Sequence, residues 1–189
     1  MNKSDNEKIL LRLDQSAEPA SKAIPDSNEP GVYGFYLRKG RLPIGQREFR
    51  ACTSTLLYLG KTKLGQMARD AKEHLADGGT GHSTLRRSLG ALLREQLNLK
   101  PCPRSDSEKS ERRFTNFKFD SLGEKKLTSW MKNHLSVGFC PLKITELASR
   151  EKSLIESIKP PLNLAHNRDN PCLHELEIKR KQCSNLARK

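Results

Sequence analysis

Long apolar runs are missing from this 189-residue chain. No stretch approaches the roughly 18 consecutive apolar residues that a membrane-spanning helix needs, which excludes membrane transport and anchoring by such a helix. The opening MNKSDNEKILLRLDQ also lacks the apolar segment of a secretory signal, so a cytoplasmic protein with no membrane partner is expected. Cysteine is sparse. There are five, an odd number, without a CxxC, and Cys52, Cys102 and Cys140 stand far apart, which argues against a disulfide framework. The group His166, Cys172, His174 and Cys183 matches no common structural zinc spacing, so ordinary thiols are expected there. Aromatics make up only 5% of the chain, so the position of each of its three tyrosines is informative. Acid is the minority charge. Against 35 Lys and Arg stand 22 Asp and Glu, leaving a formal charge of +13. That surplus favours a polyanionic partner, through attraction to phosphates and release of their counterions.

What is present fits one domain with tails: a lead-in at 1–29, a domain at 30–165 and a basic tail at 166–189. VYGFYL (32–37) is β-branched and aromatic and reads as a strand, and TSTLLYLG (53–60) as its antiparallel partner across a charged loop. A helix is expected over about 64–76, followed by a break at DGGTGH. Ser83 is placed to cap the next helix, whose Leu85, Leu89, Leu92, Leu93 and Leu97 recur at helical spacing, with Arg86, Arg87 and Arg94 assigned to its polar face. An insertion at about 100–136 holds a polar loop, a short strand at Phe114–Phe119 and a helix from about Leu122. Val137–Ile144 reads as a strand that Pro141 demotes to an edge or a bulge. Glu146–Ile158 reads as a helix stopped by Lys159-Pro160-Pro161.

The most telling acid is found by geometry. In that last helix Leu147, Leu154, Ile155 and Ile158 fall in a sector about 100° wide, at ~100° per residue. Glu151 lies inside the sector, about 40° from Leu147 by the same count, whereas Glu156 lies opposite. A carboxylate turned toward the core needs a partner. Either a salt bridge to one of the many basic residues or a metal ion would supply it. The tyrosines, Tyr33, Tyr36 and Tyr58, all sit on the first strand pair, with Tyr33 and Tyr36 on opposite faces. They are core tyrosines of a sheet, or two of them form a polar pocket with the glutamate. In a pocket, Lys61 and Arg69 could supply the cation that a tyrosine needs before it can take a proton at neutral pH.

GVY (31–33) followed by YLG (58–60) resembles the sequences that name the GIY-YIG nucleases. The resemblance continues through Arg69, the block TGHSTLRRSLGALL (80–93), and the ending EKSLIESIKPPLN, in which Glu151 precedes Asn163 by twelve residues. It covers about 31–163. It implies an α+β fold, a small three-stranded antiparallel sheet flanked by helices, that hydrolyses DNA with one divalent ion, Mg²⁺ or Mn²⁺. By the same resemblance Glu151 binds the metal, and Tyr33 and Tyr58 orient or deprotonate the attacking water. Arg69 stabilises transition-state charge, Lys61 holds a hydroxyl or phosphate oxygen, and Asn163 fixes the geometry.

One departure stands out. Many members place an arginine and a histidine one helical turn apart; here Arg69 and His74 are five residues apart, about 140° on an ideal helix. An irregular helix would be needed for both to face one site. Arg86 and Arg87, with Lys61 and the basic tail, are the expected DNA-binding residues, contacting backbone phosphates. A restriction or DNA-processing enzyme is the expected role, and an inactive nucleic-acid-binding module the alternative.

Overall fold

The computed structural model describes residues 3–22, 29–44, 47–50, 55–63, 74–105 and 110–189. Its frame is a four-stranded, wholly antiparallel sheet in the order β1-β8-β2-β5. The strands are β1 (Glu18–Pro19), β2 (Gly31–Leu37), β5 (Leu56–Thr62) and β8 (Leu135–Pro141). β2 lies at the centre with every residue buried, as expected of a strand covered on both faces. The expected three strands are β2, β5 and β8, and the two-residue β1 adds a fourth. Between β2 and β5 the charged loop is a hairpin, β3 (Arg41–Ile44) with β4 (Arg47–Arg50), anchored by buried Leu42 and Ile44.

The segment expected to be a polar lead-in forms a helix, α1 (Lys3–Gln15). Ile9 and Leu13, one helical turn apart, are its buried face. α1 comes down on β8 at Gly138, where a Cβ would meet the Leu13 carbonyl oxygen at 2.0 Å, so no larger residue fits. α1 and α5 (Leu147–Ile158) cover one sheet face with Val32, Tyr36, Leu59, Leu147, Leu154 and Ile155. α2 (Thr84–Leu93) and α4 (Ser121–His134) contribute to the other, around Phe35, Leu85, Leu89, Leu127 and Met131. Within the insertion β6 (Pro101–Cys102) pairs with β7 (Lys118–Phe119) across the short α3 (Arg112–Thr115).

Two further expectations change. β8 is an interior strand with an unbroken register to β2, but β1 covers only its Ser136 and Val137, so Pro141 lies where the outer side of the strand has no strand neighbour. The basic tail is an ordered helix, α6 (Leu173–Leu186), packed on α2 through buried Leu176, Cys183 and Ser184. Asn167 and Asn170 tie the segment leading to it onto the carbonyls of Pro160 and Pro161. Cys140, Cys172 and Cys183 are thiols outside any disulfide. No helix among the described residues is long and apolar enough to cross a membrane.

Candidate active site

The pairing of β2 with β5 places the tyrosines. Tyr33 lies opposite Gly60 and Phe35 opposite Tyr58, so Tyr33 and Tyr58 share one sheet face. A bulge between Phe35 and Tyr36, where Leu57 has no partner, keeps both Leu57 and Tyr58 on that face. Tyr36 points to the other face, into the cluster beneath α1 and α5. There burial, then the nearby Asp14 carboxylate, raises its pKa.

His74 is the hub of the tyrosine face. Its Nε2 is 2.8 Å from the Tyr33 hydroxyl and its Nδ1 is 2.7 Å from Ser83 Oγ. Its ring is boxed by Tyr33, Phe35 and Tyr58 at centroid distances of 5.6, 5.5 and 5.9 Å. Burial, with the Arg86 guanidinium as the second cause, holds its pKa down to about 4. The ring is therefore neutral at physiological pH, with one nitrogen donating and the other accepting. Either tautomer satisfies both bonds, so the chain Ser83–His74–Tyr33 can be polarised in either direction. Ser83 also caps α2, accepting from the Arg86 amide at 3.0 Å. Reading Ser83 only as a cap misses this second contact.

Glu151 arrives from the other face. α5 carries it in the apolar stripe, its side chain 14% exposed, and Lys61 Nζ donates to its Oε2 at 2.6 Å. Lys61 stands across from Val32, on the α5 side of the sheet. Because β5 is an edge strand, the Glu151 charge reaches round it to Tyr58. Burial, then the Glu151 carboxylate, pushes Tyr58 up to about 12, with Arg87 and Arg180 pulling the other way. Tyr58 thus keeps its proton at neutral pH. Glu156, on the far side of α5, is exposed.

Asn163 fixes the same strand from the chain's far end. Its Oδ1 accepts from Leu59 N and its Nδ2 donates to Leu59 O, both at 2.8 Å. The side chain replaces the neighbour strand that an edge residue lacks.

The structure therefore brings Tyr33, Tyr58 and His74 together on one face of the β2–β5 pair and Lys61 with Glu151 on the other, while Asn163 clasps β5 at Leu59. Arg69 lies outside the described residues, as does most of the helix expected over 64–76; His74 and Leu75 are its described helical residues.

Arg86 does not sit on a polar face. It is fully buried, paired with Glu124 at 2.7 Å and bonded to Thr80 Oγ1 and the His74 carbonyl. An arginine so enclosed cannot reach a DNA backbone. The periodicity carried the signal: at ~100° per residue Arg86 falls between Leu93 and Leu97 on the apolar stripe. Its role is to tie the turn at 79–81 to α4, and so to seat Ser83 and His74. Arg87 is also buried, not solvated, holding the carbonyls of Thr80 and Gly81. Glu124, Thr80 and Arg180 are contributors that sequence reasoning did not single out.

The family model of the GIY-YIG catalytic domain matches residues 31–182. The chain belongs to this family, and nuclease activity is what membership implies. The match ends at residue 182, within α6. No curated protein matches the chain, and no solved structure does.

Proposed function

We propose that the protein is an endonuclease that hydrolyses DNA phosphodiester bonds with one divalent cation, Mg²⁺ or Mn²⁺. The observation that carries this reading is the placement of Glu151. A carboxylate rooted in the apolar stripe of α5 meets Lys61 and lies within the field of Tyr58 at an open strand edge. Its Oε1 has no hydrogen bond among the described residues, and no cluster of three or more His, Cys, Asp or Glu exists among them. One carboxylate suits a hard cation that keeps several waters and takes phosphate oxygens from its substrate. When bound, such an ion lowers the pKa of water and balances charge on the leaving 3′ oxygen.

The protein's own groups do the rest. Tyr58, held protonated, positions the attacking water by hydrogen bonding instead of acting as a standing tyrosinate. Tyr33, fixed by His74, holds the second side of that water. Lys61 donates to a phosphate oxygen once the substrate draws it from Glu151. Arg69 stabilises the charge gained in the transition state. Asn163 keeps the Tyr58-Leu59-Gly60 backbone in place.

Incubation with supercoiled plasmid and Mg²⁺ tests the proposal. Nicked or linear product should appear, vanish with chelator and return with excess Mg²⁺ or Mn²⁺. Cleavage indifferent to chelator would remove the metal. Failure on duplex, nicked and branched DNA would leave an inactive binding module.

A further inference from the structure

Arg87 and Arg180 both bond Thr84, and both act electrostatically on Tyr58. Arg87, in the first turn of α2, is 7% exposed. Its Nη1 donates to the carbonyls of Thr80 and Gly81 at 3.1 and 2.8 Å, and its Nη2 to Thr84 Oγ1 at 3.4 Å. Its Nε is buried without a hydrogen-bond partner. Arg180, from α6, donates through Nη1 to Ser88 Oγ at 3.2 Å and to the same Thr84, at its carbonyl, at 3.5 Å. Neither guanidinium has an ion-pair partner among the described residues. A third arginine is close: a Cβ on Gly81 would meet Arg104 Cγ at 2.7 Å.

The neighbouring residue shows how this fold handles a buried cation that serves structure alone. Arg86 is closed off by Glu124, its charge cancelled and its donors used. Arg87, buried, and Arg180, half-buried, have no such ion pair among the described residues, although the Glu177 carboxylate favours the Arg180 charge. Burial first, then the Arg87 charge, lowers the Arg180 pKa to about 10, and burial, then Arg104, lowers that of Arg87. Both remain cations at neutral pH, and both are hydrogen-bonded to Thr84. A buried and a half-buried guanidinium, both oriented by hydrogen bonds and neither in an ion pair among the described residues, make a donor set suited to a tetrahedral oxyanion.

We propose that Arg87 and Arg180 form an oxyanion site that holds the DNA phosphodiester next to the one being cut. The position rests on the nuclease reading above: both charges act on Tyr58, whose other electrostatic neighbour is Glu151. A phosphate bridging α2 and α6 neutralises the pair and fixes the register of the strand relative to Glu151. α6 thereby contributes to the site as well as to packing.

The experiment has two arms, both on the full chain. In the first, inorganic phosphate is the probe, compared with chloride at equal ionic strength. Phosphate should raise the melting temperature of the wild type by several degrees and leave Arg180→Gln unmoved, with the two proteins melting alike in chloride. Arg180→Lys, which keeps the charge but loses the planar fork, should retain part of the response and covers the case in which Arg180→Gln folds poorly. In the second arm, single methylphosphonates replace phosphates flanking the cut site. One position should slow wild-type cleavage by roughly tenfold or more, and Arg180→Gln should be slow already and insensitive to that replacement, the non-additivity of a shared contact. Equal phosphate responses in wild type and Arg180→Gln, or additive methylphosphonate effects, would overturn the site as proposed. If the wild type cuts no DNA, the nuclease reading fails and the phosphate arm still decides the anion site. If it cuts and the variants match it in both arms, the anion site fails alone.

Discussion

The ring of Tyr33 lies across Gly60, its opposite residue on β5, so closely that a Cβ there would sit 2.4 Å from Tyr33 Cζ and 2.5 Å from its hydroxyl oxygen. The glycine of the second motif is thus the floor beneath the tyrosine of the first. Gly60→Ala must displace Tyr33 from His74 or distort the strand. A loss of about 1–3 kcal/mol is expected, in the range for overpacking a close-fitted site. Urea unfolding measures it, and wild-type stability with wild-type cleavage would show that the ring is not held this way.

Asn163 and Leu59 form a second such pair. Asn163→Ala removes both partners from a buried amide and a buried carbonyl. The expected cost is about 2–4 kcal/mol for two groups left unsatisfied, with cleavage falling because Tyr58 and Gly60 lie on either side of Leu59. Asn163→Asp keeps an acceptor for Leu59 N but sets an oxygen against Leu59 O, so it should rescue little. Equal denaturation midpoints for wild type and Asn163→Ala would contradict the clasp.

Much of this was legible in the sequence, and for identifiable reasons. β2 is short, β-branched and aromatic, β5 is a short leucine-rich run around Tyr58, and α5 has a clean apolar sector, so Glu151 stands out by angle alone. Lys61 stands out beside the tyrosine strand as a candidate cation, whereas Asn163 is reached only through the family resemblance, and β5 carries Lys61 and is bonded by Asn163. Long-range partners are where single-sequence reading stopped. Nothing local tells that Arg86 will meet Glu124, 38 residues away, or that Arg180 will return to Thr84, 96 residues away. α1 gives little helical signal in the sequence because its charged residues surround a buried face of only Ile9 and Leu13. The five-residue gap between Arg69 and His74 pointed away from His74. Yet His74 is tied to Tyr33 and Ser83 by tertiary bonds, which ideal helix angles do not capture.

The depressed pKa of His74 has a consequence for stability. An unfolded histidine titrates near 6.5 and the folded one near 4. Between those values the unfolded chain binds one more proton, so stability is full above about pH 6.5 and falls as pH drops toward 4. The slope approaches 1.36 kcal/mol per pH unit, or about 2 kcal/mol between pH 7.5 and 5. His74→Gln should lose that increment. Urea midpoints at the two pH values compare them, and equal acid sensitivity in both proteins would contradict a buried neutral His74.

The role of Glu151 decides between an enzyme and a binding module. Glu151→Gln keeps the shape of the side chain and its place against Lys61 but removes the charge that would hold a divalent ion. The decisive measurement is single-turnover cleavage of one duplex by wild type and Glu151→Gln in Mg²⁺, alongside their DNA binding in chelator. The account requires the variant to bind at least as tightly, with one repulsive carboxylate gone, while its cleavage rate falls by on the order of 10³-fold or more, the loss expected when charge stabilisation at the reacting phosphate goes. A Glu151→Gln protein that cuts at the wild-type rate would contradict it.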